Sequence, residues 1–195
     1  GLPAAVGLVI LAGPLMATLF QSEVFGSGDV DMAQRSLMAY AVGLQAFLLI
    51  KVLAPGYYAR QDTRTPVRIG VIAMAANMVL NLALIFPLQH AGLALATSLA
   101  AYLNAYLLLR GLLRDGAFDP ARGWAVLLLR VGVAVAGMAV VLLWWLPALD
   151  WWVVAPRLER VVWLLGLIVV AMLVYFVLLL AVGIRPRDLR EAEEG

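Results

Sequence analysis

Long apolar runs alternate with short polar breaks along the chain. The runs extend from Leu2 to Phe20, Leu37 to Tyr58, Val67 to Leu88, Gly92 to Leu113, Trp124 to Leu149 and Val161 to Ile184. A membrane-crossing helix needs roughly 20 mostly apolar residues, so each run predicts one span. The predicted fold class is all-α, a polytopic membrane bundle with six transmembrane helices. The breaks carry recognisable start and stop signals. Gly26, Ser27, Gly28 and Asp29 precede the second helix, and Thr65 followed by Pro66 reads as an N-cap with Pro at the first helical position. Phe86 to Gly92, with Pro87 and Gly92, predicts a tight turn between the third and fourth helices.

The helices differ in what they offer a neighbour. The fourth places Gly92, Ala96 and Ala100 at intervals of four, a small-residue stripe that lets another helix approach closely. The third offers Gly70, Ala73 and Ala76 and adds Asn77 and Asn81. The fifth and sixth are built from Leu, Val, Trp and Phe, with Arg130 as their polar exception, and read as peripheral and lipid-facing. The expected organisation is four helices of a packed lobe over 1–113, two greasy helices over 124–184 and a polar tail over 185–195.

Composition excludes a soluble domain, since 65% of the 195 residues are hydrophobic and 13% charged. The net charge of +2 comes from 14 basic and 12 acidic residues and points to no nucleic-acid partner. With no Cys and one His, neither a disulfide framework nor a thiolate or imidazole metal cluster can form. The chain opens Gly-Leu-Pro-Ala-Ala, without a basic leader, and reads as a piece of a longer polytopic protein. Cytoplasmic loops are enriched in Lys and Arg. One side holds Arg35, Arg157 and Arg160; the other holds Arg60, Arg64, Arg68, Arg110, Arg114, Arg122, Arg185, Arg187 and Arg190. That distribution places both ends of the chain in the cytoplasm and the Trp144–Trp145 and Trp151–Trp152 pairs at the outer interface.

Polar groups inside the spans carry the functional information. Lys51 lies nine residues before Arg60, ~13 Å at 1.5 Å per residue, and a charge at that depth needs water, a partner or the interface. It either snorkels along the helix or faces a water-filled cavity and meets an anionic substrate. Pro55 and Gly56 follow one turn later and are hinge candidates, because Pro removes a helix hydrogen bond and commonly kinks the chain. Asn77 and Asn81 share a face, and Thr97 in the next antiparallel helix lies at comparable depth. Their oxygens either bind a hard cation such as sodium or hydrogen-bond across helices. No catalytic residue or metal centre is readable: phosphate-binding glycine loops, paired intramembrane carboxylates and hydrolase elbows are missing.

The segments KVLAPGYYARQDTRTPVRIG, Lys51 to Gly70, and HAGLALATSLAAYLNAYLLLRGL, His90 to Leu112, closely resemble the MurJ (MviN) family of lipid II flippases, within the multidrug, oligosaccharidyl-lipid and polysaccharide exporter superfamily. The resemblance implies a fourteen-helix fold of which this chain forms helices nine to fourteen. It implies alternating-access movement of lipid II, or a related polyprenyl-pyrophosphate-linked glycan, from the inner to the outer leaflet of the bacterial cytoplasmic membrane, without covalent chemistry or a cofactor. Coupling to sodium, protons or the membrane potential would drive it. Lys51 would then line a cationic cavity, the last two helices would border a groove for the polyprenyl tail, and the missing N-terminal helices would complete the site. The competing functions are export of another lipid-linked oligosaccharide or an amphipathic drug, a membrane-embedded lipid-modifying enzyme, and a purely structural helical subunit. A buried Lys without an intramembrane acid disfavours cationic cargo, and the lack of an acid, base or metal cluster disfavours an enzyme.

Overall fold

The computed structural model describes residues 1–20, 27–116 and 124–183, and every described element is helical. In chain order these are α1 (Leu2–Ile10), α2 (Ala12–Phe20), α3 (Ser27–Tyr58), α4 (Arg64–Arg114), α5 (Trp124–Trp145), α6 (Leu149–Val154) and α7 (Arg157–Ala181). The chain forms two compact units, Gly1–Asp119 and Pro120–Gly195. Gly26, Arg122, Arg185, Arg187, Arg190 and the acidic tail to Glu194 lie outside the described residues.

The first expected span is broken. α1 and α2 meet at Leu11 with a 64° bend. Pro14 explains the position, because it has no N–H to give the carbonyl of Ile10 and its ring crowds that carbonyl. Hydropathy alone reads Leu2 to Phe20 as one helix because it ignores which backbone groups can bond.

α3 begins at Ser27 rather than Leu37, so Ser27, Gly28 and Asp29 are helical instead of forming a turn. The polar extension carries an i,i+4 ion pair, Arg35 to Asp31 at 2.8 Å, of the kind that supports an exposed helix. At the other end the helix continues through Pro55 and Gly56 to Tyr58.

α4 spans 51 residues, far too long to cross a bilayer once. Gln89, with φ 49° and ψ −127°, divides it into two arms, 64–88 and 90–114. The expected turn over Phe86 to Gly92 is therefore tightened to one non-helical residue, with Pro87 still inside the first arm. A Cβ at Gly92 would collide with the carbonyl of Leu84, so the second arm doubles back directly against the first. The start of α4 also differs from expectation. The helix opens at Arg64, and its first N–H groups are met by Asp62, whose Oδ1 accepts from Arg64 N at 3.1 Å and Thr65 N at 3.0 Å. Thr65 is therefore inside the helix, and Pro66 follows within its first turn, where a missing N–H costs no helical bond.

In the second unit α5 stops at Trp145, before Pro147, and α6 intervenes before α7 opens at Arg157. The expected end at Leu149 moves to Trp145 and the expected start at Val161 to Arg157, while the expected limit Ile184 lies outside the described residues. α5 packs on α7 through Ala134, Val135, Met138 and Leu142 on one side and Leu164, Leu167 and Ala171 on the other. The tryptophans divide: Trp144 is 83% exposed, as an interface anchor should be, whereas Trp152 is fully buried and stacks edge-on with Trp151. Trp152 is therefore core rather than belt. With the bent pair as one span and α4 as two, the described residues hold six apolar crossings, the number that the hydrophobic pattern predicts.

Candidate functional site

The site is framed by α3 and the second arm of α4, which run parallel. Ser98 Oγ donates to the Ala39 carbonyl at 2.6 Å, Tyr102 OH to Val42 at 2.9 Å, and Tyr57 OH to Leu108 at 2.7 Å, so residue numbers rise together along both helices. Small residues make the approach possible. Ala46, Ala101 and Ala105 are buried together, and a Cβ at Gly43 would strike Ser98 while one at Gly111 would strike the Tyr57 hydroxyl. Gly92, Ala96 and Ala100 are all buried in the same arm. Toward one end Leu53, Tyr57, Ile69, Leu108 and Leu112 form an apolar cluster, capped by an exposed ion pair between Arg60 and Asp115 at 3.5 Å.

α1 and α2 also pack on α3, but around Lys51 the side of α3 turned away from α4 is uncovered. Lys51, Val52, Pro55 and Tyr58 are exposed, Val52 by 73%. Among the described residues Lys51 has no ion-pair or hydrogen-bond partner. Its ammonium is thus an unneutralised cation on an apolar helix face. Gly56 is half-buried and meets Leu112 of α4, so Pro55 and Gly56 face different surroundings although they are adjacent.

Asn77, Asn81 and Thr97 lie on the two arms of α4. The register set by Leu84 against Gly92, and by Ile69 against Leu108, puts Thr97 at a depth between the two asparagines. Their hydrogen bonding does not join them. Thr97 Oγ1 donates to the Leu93 carbonyl at 2.9 Å in its own arm, while Asn77 Oδ1 and Asn81 Oδ1 are buried without a donor. Two orphaned carbonyl oxygens in a membrane helix are costly acceptors, and a cation or a donor would relieve both. Lys51 and this trio occupy separate helices of one unit, α3 and α4.

Residues 1–163 match the family described as lipid II flippase MurJ. The chain is also 44% identical over its whole length to the probable lipid II flippase MurJ of Vibrio cholerae. It is 44% identical, over 97% of its length, to that of Haemophilus influenzae. It is 36% identical, over 94%, to the lipid II flippase MurJ of Burkholderia cenocepacia. This chain belongs to the lipid II flippase MurJ family. It spans little more than a third of these relatives, 37%, 37% and 36% of their lengths. The MurJ match contains Lys51, Pro55, Gly56, Asn77, Asn81 and Thr97 and reaches into α7. With its apolar crossings, the chain is a multi-pass membrane protein.

Sequence reading misses several residues that shape the first unit. Tyr57, Ser98 and Tyr102 bind α3 to α4 through backbone carbonyls, and a lone hydroxyl in an apolar run carries no signal of which carbonyl it will reach. At the far end from Arg60, Met32 and Arg35 of α3 and residues 87–91 of α4 line a small polar depression that includes His90. In the second unit Trp145, Val162, Trp163, Gly166, Leu167 and Val170 line an apolar groove, where Gly166 leaves open space because nothing lies within 4 Å of its Cβ position.

Proposed function

We propose that this chain is the C-terminal part of a flippase that moves lipid II, or a closely related polyprenyl-pyrophosphate-linked glycan, from the cytoplasmic to the outer leaflet of the bacterial inner membrane. The observation that carries the reading is Lys51: an exposed cation, without a partner among the described residues, in the apolar run of a helix of a MurJ family member. Its ammonium holds the pyrophosphate, and the remaining helices of the protein close the cavity around it. The activity is transport by alternating access and leaves every covalent bond of the substrate intact.

Both ends of the fragment face the cytoplasm, with Arg60, Arg64 and Arg68 on the inside and Arg35 on the outside. The geometry supports the alternation, since Arg60 meets Asp115 at one end of the lobe while Arg35 shares the other end with His90. Pro55 and Gly56 lie in the moving part of α3. Asn77, Asn81 and Thr97 offer oxygens for a coupling cation, with sodium favoured by their hard, neutral donors; the orphaned Asn77 and Asn81 carbonyls support that assignment.

The test uses the full-length protein in proteoliposomes loaded with lipid II on one leaflet and probed by an impermeant reagent from the other. Lipid II is expected to cross faster than in protein-free vesicles, and a sodium gradient should accelerate it. Replacing Asn77 and Asn81 by Leu should remove the sodium response. Crossing no faster than without protein would overturn the reading, and an unchanged sodium response in the double variant would remove the cation site alone.

A further inference from the structure

α3 carries Pro55 in its interior, four residues after Lys51. An α-helix bonds each N–H to the carbonyl four residues earlier, and Pro has no N–H. The helix therefore withdraws its own donor from the Lys51 carbonyl. Lys51 and Pro55 share a face, and both are exposed. The side-chain ties to α4 use the carbonyls of Ala39 and Val42 and the hydroxyl of Tyr57, none of which reaches this one. One residue thus presents a cationic donor from its side chain and, within the same turn, an acceptor from its backbone. Each is costly to leave against hydrocarbon. A ligand that is at once an anion and a hydrogen-bond donor relieves both.

We infer that the main-chain carbonyl of Lys51, released by Pro55, is a specificity-determining acceptor that takes a hydroxyl or amide N–H of the sugar adjoining the pyrophosphate. The inference rests on the reading of Lys51 as the pyrophosphate contact and adds recognition of the first sugar. It gives Pro55 a chemical role distinct from bending the helix. A polyprenyl pyrophosphate without sugar can satisfy the ammonium but not the carbonyl.

The test measures binding of lipid II and of sugar-free polyprenyl pyrophosphate to the full-length protein in nanodiscs, for three backbones at position 55. Pro55→Ala restores the N–H and the helix bond to Lys51; Ala is the better helix former, so folding is retained. Lactic acid at the same position, introduced as a backbone ester, has neither ring nor N–H and leaves the carbonyl free. Pro55→Ala is expected to weaken lipid II binding about five- to tenfold, the worth of one hydrogen bond, with sugar-free lipid unaffected, and the ester variant should bind both lipids like the parent. Lipid II binding unchanged in Pro55→Ala, an equal loss for both lipids, or an ester variant that behaves like Pro55→Ala would each overturn the inference. Lys51→Met separates the underlying reading: if it leaves both lipids bound as before, Lys51 is not the pyrophosphate contact.

Discussion

Between α3 and α4 the chain reverses in five residues, 59–63, and a single carboxylate organises the reversal. Asp62 is held below the usual carboxylate range, chiefly by the Thr65 side-chain and backbone hydrogen bonds, with further help from the Arg64 N–H and the charge of Arg60. A depressed carboxyl stabilises the structure above its unfolded pKa, near 3.9, and that contribution is lost as pH falls through the folded value. Hydrogen exchange at the Arg64 and Thr65 amides should therefore be slow at neutral pH and accelerate, relative to intrinsic rates, as the medium falls below about pH 4. Asp62→Asn should keep most of the protection, because Asn also caps well, and should lose the acid dependence. Unchanged acid dependence in that variant would assign it elsewhere. The sequence points to Thr65 as the cap, whereas the structure uses the Asp62 carboxylate. Gln61, at φ 58°, turns the chain just before Asp62, and the helix opens at Arg64, so Thr65 is already inside it.

Elements were legible wherever hydrophobic length decides and obscure wherever backbone bonding decides. The apolar runs of α3, both arms of α4, α5 and α7 are all found near their expected places. The break at Leu11 was hidden inside an unbroken apolar run, although Pro14 specifies it. The early start of α3 was hidden because its first turns are polar and are stabilised by their own ion pair rather than by burial. The α4 hairpin was visible as a turn but not as a contact. Its tightness depends on Gly92, where a Cβ would meet the Leu84 backbone, which cannot move aside as a side chain can. Gly92→Ala should destabilise the unit by about 1–3 kcal/mol, as overpacking does, seen as a lower unfolding temperature in nanodiscs. Gly132→Ala is the control, since nothing lies within 4 Å of its Cβ position and Ala is the better helix residue. Equal unfolding temperatures for the two variants would show that the arms are not in contact at Gly92.

Across the whole molecule, the sequence identifies the candidate residues but not their company. Lys51 was conspicuous as the only Lys in 195 residues, and its exposure follows once the small residues of α3 commit the opposite face to α4. Asn77, Asn81 and Thr97 lie at comparable depth, yet Thr97 turns to its own helix and leaves the two Asn oxygens unmatched. Side-chain hydrogen bonds of that kind are settled by rotamer and local packing, which periodicity does not encode. The function proposed for the protein rests finally on the charge at position 51. If Lys51 merely snorkels, a neutral side chain of similar length is cheaper in the membrane. If it holds a pyrophosphate, attraction in a medium of low dielectric makes the charge decisive. The deciding measurement is the rate of lipid II crossing in proteoliposomes containing the full-length Lys51→Met and Lys51→Arg variants at matched membrane abundance. We predict that Met lowers the rate at least tenfold and that Arg, which also pairs with phosphate oxygens, keeps a substantial part of it; a Met variant that transports at the parental rate would contradict the account.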